Sequence, residues 1–76
     1  MQTKILEILN GLRPEFDFTS SSDFIGDGML DSFDIVSLVT ELEDNFNITV
    51  DGEDIIPDNF SSVDAIITLI EKSEKN

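Results

Sequence analysis

Ile5, Leu6, Ile8, Leu9 and Leu12 recur at three- and four-residue steps, which predicts an amphipathic helix over residues 3–13, capped by Thr3 and stopped by Pro14. Residues 15–30 break the pattern. They carry two glycines and four serine or threonine hydroxyls without helical periodicity, so they predict a long loop pinned by Phe16, Phe18, Phe24, Ile25 and Leu30. The clearest periodicity follows, over residues 32–46: Ile35, Leu38, Val39, Leu42 and Phe46 fall on one face, with Phe33, Val36, Ser37 and Thr40 on the other. Asp31 suits the N-cap of that helix, Asp34 its third position and Asn47 a left-handed close. Gly52 and Pro57 leave room for a single short turn, starting at Pro57, with Ile48, Val50, Ile55, Ile56 and Phe60 as anchors. A last helix follows, capped by Ser61 with Asp64 and striped by Val63, Ile66, Ile67 and Ile70, and the polar tail after Glu71 is expected to fray.

These elements make an all-α fold, a small four-helix bundle with three main helices, a short third one and a long first loop. Seventy-six residues suffice for one domain, residues 1–76. No apolar stretch approaches the ~20 residues of a membrane helix and no signal peptide opens the chain, which points to a soluble, cytoplasmic monomer. Seventeen acidic residues against four basic ones give a net charge of −13. Such a field repels nucleic acid and anionic lipid, and it favours protein partners with basic patches.

The chain has neither histidine nor cysteine, so the usual bases and thiol nucleophiles are missing and an enzyme is not expected. Paired carboxylates read better as solvated helix faces than as an acid–base couple. Residues 23–34 approach the spacing of a calcium loop. Ile25 stands where an oxygen ligand belongs and the closing residue is Asp34 rather than Glu, so no dedicated metal site is expected.

Ser32 remains, placed between Asp31 and Phe33 where a glycine-bearing loop enters the best helix. A phosphodiester there would meet free backbone N–H groups and the positive end of the helix dipole. No other serine follows an aspartate at the start of the main helix.

From about Ile5 to Ile70 the sequence resembles the acyl carrier protein family. Asp31-Ser32-Phe33-Asp34 is similar to the family's Asp-Ser-Leu-Asp signature, with phenylalanine keeping an apolar side chain in place of leucine. Val36, Leu38, Val39 and residues 42–46 look like its long second helix, and residues 63–70 like its last. The resemblance implies a bundle of acyl-carrier type. It also implies that Ser32, next to Asp31, receives 4'-phosphopantetheine from coenzyme A through a phosphopantetheinyl transferase. Cargo then rides as a thioester, loaded by an acyl or aminoacyl ligase and passed to downstream enzymes.

Phe33 and Val36, ringed by Asp31, Asp34 and Glu41, are expected to form the partner-binding face, with acids steering basic partners and the apolar pair prolonging the encounter. Gly28-Met29-Leu30-Asp31-Ser32 is more similar to D-alanyl and stand-alone specialised carriers than to fatty-acid carriers. Thr40 stands where fatty-acid carriers have a larger apolar residue, and residues 56–60 also look unlike that type. A D-alanyl carrier for cell-envelope modification, a non-carrier acidic helical adaptor and a divalent-ion binder are the alternatives.

Overall fold

Ile5, Ile8 and Leu9 are buried along one side of α1 (Gln2–Leu12), which packs against both α2 (Ser32–Phe46) and α3 (Val63–Glu74). The structure is a computed structural model that describes residues 1–74. From α2 the core receives Ile35, Leu38, Val39 and Leu42, and from α3 it receives Ile66, Leu69 and Ile70. Three 3₁₀ turns complete the all-helical fold: Phe18–Ser20 within the first loop, and Gly52–Asp54 and Pro57–Phe60 between α2 and α3.

The loop of residues 15–30 is bound to the helices by its aromatic side chains. Phe18 and Phe24 are buried, their rings edge to face at 5.0 Å, and Phe16 meets Phe18 in the same way at 6.3 Å. Such pairs add roughly 0.5–1.5 kcal/mol beyond the area they bury. The Phe24 backbone is equally committed. Its N–H donates to the Ser61 carbonyl at 2.7 Å, and its carbonyl accepts from the N–H groups of Met29 and Leu30 at 2.8 and 3.3 Å. Gly28 takes φ 74°, a left-handed conformation that favours glycine, to turn the chain into this arrangement. Met29 and Leu30, both buried, therefore fix the chain one residue ahead of Asp31 and set where α2 begins.

Several terminal details differ from the sequence expectations. α1 starts at Gln2 with Met1 in the cap position and no side-chain cap, so Thr3 is an exposed residue of the first turn. The Met1 carbonyl already accepts from Ile5, which leaves Thr3 inside the helix. Between residues 47 and 60 there are two turns where one was expected, because the Asp51 side chain accepts from the Glu53 N–H and opens Gly52–Asp54. Ile55 and Ile56 are exposed and do not anchor this segment. Ile48, Val50 and Phe60 do, helped by Glu43, whose carboxylate accepts from the Val50 N–H at 3.0 Å.

Ser62, not Ser61, caps α3: its hydroxyl oxygen accepts from the Ala65 N–H at 3.1 Å, while the Ser61 hydroxyl donates to the Asp58 carbonyl. α3 continues past Glu71 to Glu74, and its Lys72 pairs with Asp54 at 2.8 Å. Residues 75 and 76 of that polar tail lie outside the described residues.

The contrast between buried and exposed apolar residues of the second connection can be tested directly. Phe60→Ala is expected to cost about 3–5 kcal/mol and Ile56→Ala under about 0.5 kcal/mol in denaturant melts. Equal losses at the two positions would contradict this packing.

Candidate functional site

The entry to α2 is closed by two reciprocal hydrogen bonds. The Asp34 N–H donates to Asp31 Oδ1 at 2.9 Å, and the Asp31 N–H donates to Asp34 Oδ2 at 3.1 Å. Asp31 and Asp34 hold the cap and third positions expected of them, and the reciprocal bonding makes the pair a capping box. The far end of α2 closes as expected too, with Asn47 left-handed at φ 54°.

Arg13, at the end of α1, joins the box from outside. Its Nε donates to Asp34 Oδ2 at 2.9 Å while Nη2 pairs with the same oxygen at 2.8 Å, Nη2 donates to Asp31 Oδ2 at the long distance of 3.5 Å, and Nη1 donates to Glu15 at 3.1 Å. The guanidinium carbon stands 6.0 Å from the centre of the Phe16 ring, within cation–π range. Hydrogen bonding from Arg13 outweighs partial burial and holds the Asp34 carboxyl below its ordinary pKa, and Asp34 in turn raises that of Arg13.

Ser32 is the first residue of α2 and is exposed. Its hydroxyl has no partner within the described residues, and the N–H groups of Ser32 and Phe33 likewise meet no acceptor there. An exposed nucleophilic oxygen beside two free N–H donors at a positive helix end fits a phosphodiester. Asp31 and Asp34 hold the backbone of that turn, so the Ser32 side chain takes no part in the capping.

Phe33 is 79% and Val36 62% exposed, large values for apolar residues, and Thr40 is exposed on the same side. Asp34 departs from the expectation of a surface acid on this face. Its side chain is 12% exposed and its carboxylate is occupied by Arg13 and the Asp31 N–H. Glu41 is exposed but stands to one side, lining a groove between α1 and α2 with Lys4, Glu7 and Asn45.

Two residues escaped the sequence reading. Asp44 follows Phe33, Ser37 and Thr40 at four-, three- and four-residue steps, so it is the exposed carboxylate in line with the apolar pair, and the helical period alone would have located it. Arg13 had a weaker signal, as the chain's sole arginine just before Pro14. Among the described residues no group of three His, Cys, Asp or Glu side chains is arranged to hold a metal ion. Nor is any helix there long and apolar enough to cross a membrane.

An all-helical chain that presents an exposed serine at the capped start of its longest helix has the architecture of a carrier domain. The model of the phosphopantetheine attachment site family matches residues 3–70, and the chain belongs to that family. Among curated proteins no sequence matches it. Domains of this family receive covalent 4'-phosphopantetheine, work with phosphopantetheinyl transferases, and tether intermediates for partner enzymes without catalysing a reaction themselves.

The Asp34–Arg13 pair gives this site a defined response to acid. Because the folded carboxyl is depressed, Asp34 stabilises the fold above the ordinary carboxylate range, about pH 4, and loses that contribution as pH falls through its folded value. Asp34→Asn is expected to cost on the order of 1–3 kcal/mol at pH 7. The gap from the native chain should narrow as pH drops below about 4. A gap that stays constant from neutral to acid pH, measured by denaturant melts, would contradict it.

Proposed function

We propose that Ser32 is the residue that bears phosphopantetheine and that the chain carries acyl or aminoacyl cargo. The observation that carries this is the placement of Ser32: exposed, without a hydrogen-bond partner, and first in a helix whose entry is held by its neighbours Asp31 and Asp34. When bound, the arm supplies a thiol on which cargo is held as a thioester. The chain's own residues do the rest. Asp31 and Asp34 fix the backbone around the serine, and the N–H groups of Ser32 and Phe33 stabilise the phosphodiester. Tethering raises the effective concentration of cargo at the partner's active site.

Phe33 and Val36 form the apolar part of the surface that partners grip, and Asp31, Glu41 and Asp44 draw enzymes with basic rims. Asp34 belongs to the support of that surface. The partners are a phosphopantetheinyl transferase, an acyl- or aminoacyl-loading ligase and later acyl-processing enzymes. Specialised-metabolite biosynthesis is favoured over fatty-acid synthesis. The polar Thr40 on the exposed side of α2 and the Gly28-Met29-Leu30-Asp31-Ser32 entry support that choice, and the entry is equally compatible with D-alanyl transfer.

Incubation with a broad-specificity transferase and coenzyme A is expected to add one phosphopantetheinyl group to the native chain and none to Ser32→Ala, read by mass spectrometry. Phe33→Ala should load more slowly while shifting stability by under about 0.5 kcal/mol. Modification of the Ser32→Ala variant, at Ser61, Ser62 or elsewhere, would overturn the assignment of Ser32. A Phe33→Ala variant that loads normally and melts far lower would remove Phe33 from the contact surface.

A further inference from the structure

We propose that Arg13 is a positioning residue for the modified serine, holding the helix entry around Ser32 and supplying the positive charge that offsets a phosphodiester there. The proposal rests on Ser32 being the attachment residue.

The distribution of charge leaves this end of the molecule dependent on one side chain. The chain has four basic residues against seventeen acidic ones. Among the described residues, Lys4 lies 3.9 Å from Glu7 on α1 and Lys72 pairs with Asp54 beside α3, so Arg13 is the cation joined to the start of α2. A phosphodiester on Ser32 adds a negative charge within one helical turn of Asp31 and Asp34. Two free N–H groups and the helix dipole offset part of that repulsion, and the dipole contributes only a fractional charge.

The geometry gives Arg13 two separable contacts. The first is firm: Nε and Nη2 converge on Asp34 Oδ2, the same oxygen that accepts from the Asp31 N–H. Arg13 thereby orients the carboxylate that closes the capping box across Ser32. The second contact is loose. Nη2 meets Asp31 Oδ2 at 3.5 Å, the outer limit of a hydrogen bond, and the Asp31 side chain is 63% exposed. Such a contact is readily exchanged for a phosphate oxygen while Nε keeps its hold on Asp34. Phe16, beneath the guanidinium, limits the directions in which the side chain can turn. Arginine suits this double task because its planar fork serves two oxygen acceptors at once, where lysine presents a single point charge.

The test is a cycle of melting temperatures for apo and phosphopantetheinylated forms of the native chain, Arg13→Gln and Arg13→Lys, each at low and high salt. Glutamine removes the charge, and lysine keeps it without the fork. In the native chain the two forms should melt nearly together. In Arg13→Gln the modified form should melt below the apo form by roughly 4 °C or more at low salt, the size a single interaction produces in a domain this small. The gap should shrink at high salt, and Arg13→Lys should fall between the two.

An apo-to-modified difference that is the same in all three proteins would reduce Arg13 to a fold-stabilising residue and overturn the proposal. Should Arg13→Gln fail to fold, the comparison of Arg13→Lys with the native chain decides in the same terms. If instead the native chain takes up the group at a serine other than Ser32, or takes up none, the assignment of Ser32 fails first and the proposal with it. That result comes from mass spectrometry on the native chain and is distinguishable from the melting outcome.

Discussion

At the first turn of α2 two aspartates each accept a hydrogen bond from the other's backbone N–H, and Arg13 clamps the buried one. A helix N-terminus leaves four N–H groups without helical partners, and this arrangement satisfies those of Asp31 and Asp34 with carboxylates that also oppose the dipole. Ser32 and Phe33 sit between the two caps with their N–H groups open. The entry is rigid because its neighbours are bonded, and receptive because its own donors are not. The buried Met29 and Leu30 on one side and Ile35 on the other tie this turn to the core, so the serine is exposed on a fixed support.

The rest of the fold serves that placement. The first loop crosses the bundle on Phe18 and Phe24, and the Phe24 backbone joins the loop to the residue ahead of the α3 cap. That loop delivers residue 31 to the same position on every molecule. α1 contributes its buried stripe to the core and then, one residue past its end, Arg13 to the site. The acidity has two parts with different physical roles. Asp34 is an internal acid with a cation of its own, whereas Asp31, Glu41 and Asp44 are exposed and belong to the long-range field. The exposed Phe33 and Val36 lie within that field, and in the proposed partner surface the acids would speed encounter while the apolar pair supplies a short-range grip.

Periodicity and capping chemistry were enough to locate α2 to the residue, because Asp31, Asp34 and Asn47 are local signals whose partners lie within four residues. The same logic misplaced the ends of the other helices by a residue or more. Thr3 and Ser61 have the right chemistry for caps, yet Met1, without a capping side chain, and Ser62 occupy the cap positions once tertiary packing fixes where each helix starts. Ile55 and Ile56 look like anchors in a hydropathy pattern, but burial in an irregular connection depends on which way each residue faces, and no period supplies that. The role of Asp34 was only half legible. Its reciprocal cap is local, whereas its partner Arg13 is 21 residues away and brought near by the α1–α2 packing. A long-range ion pair between two loop-flanking residues leaves no periodic trace in one sequence.

In the proposed carrier, the open donors at the start of α2 receive a phosphodiester on Ser32. Amide NMR spectra of the isotope-labelled chain, recorded before and after treatment with transferase and coenzyme A, test it at the atoms concerned. The largest shifts are expected at the N–H groups of Ser32 and Phe33, with smaller ones at Asp31 and Asp34, whose N–H groups are already bonded to carboxylates. Unmoved Ser32 and Phe33 signals in a fully modified sample, or shifts centred on Ser61 and Ser62, would contradict it.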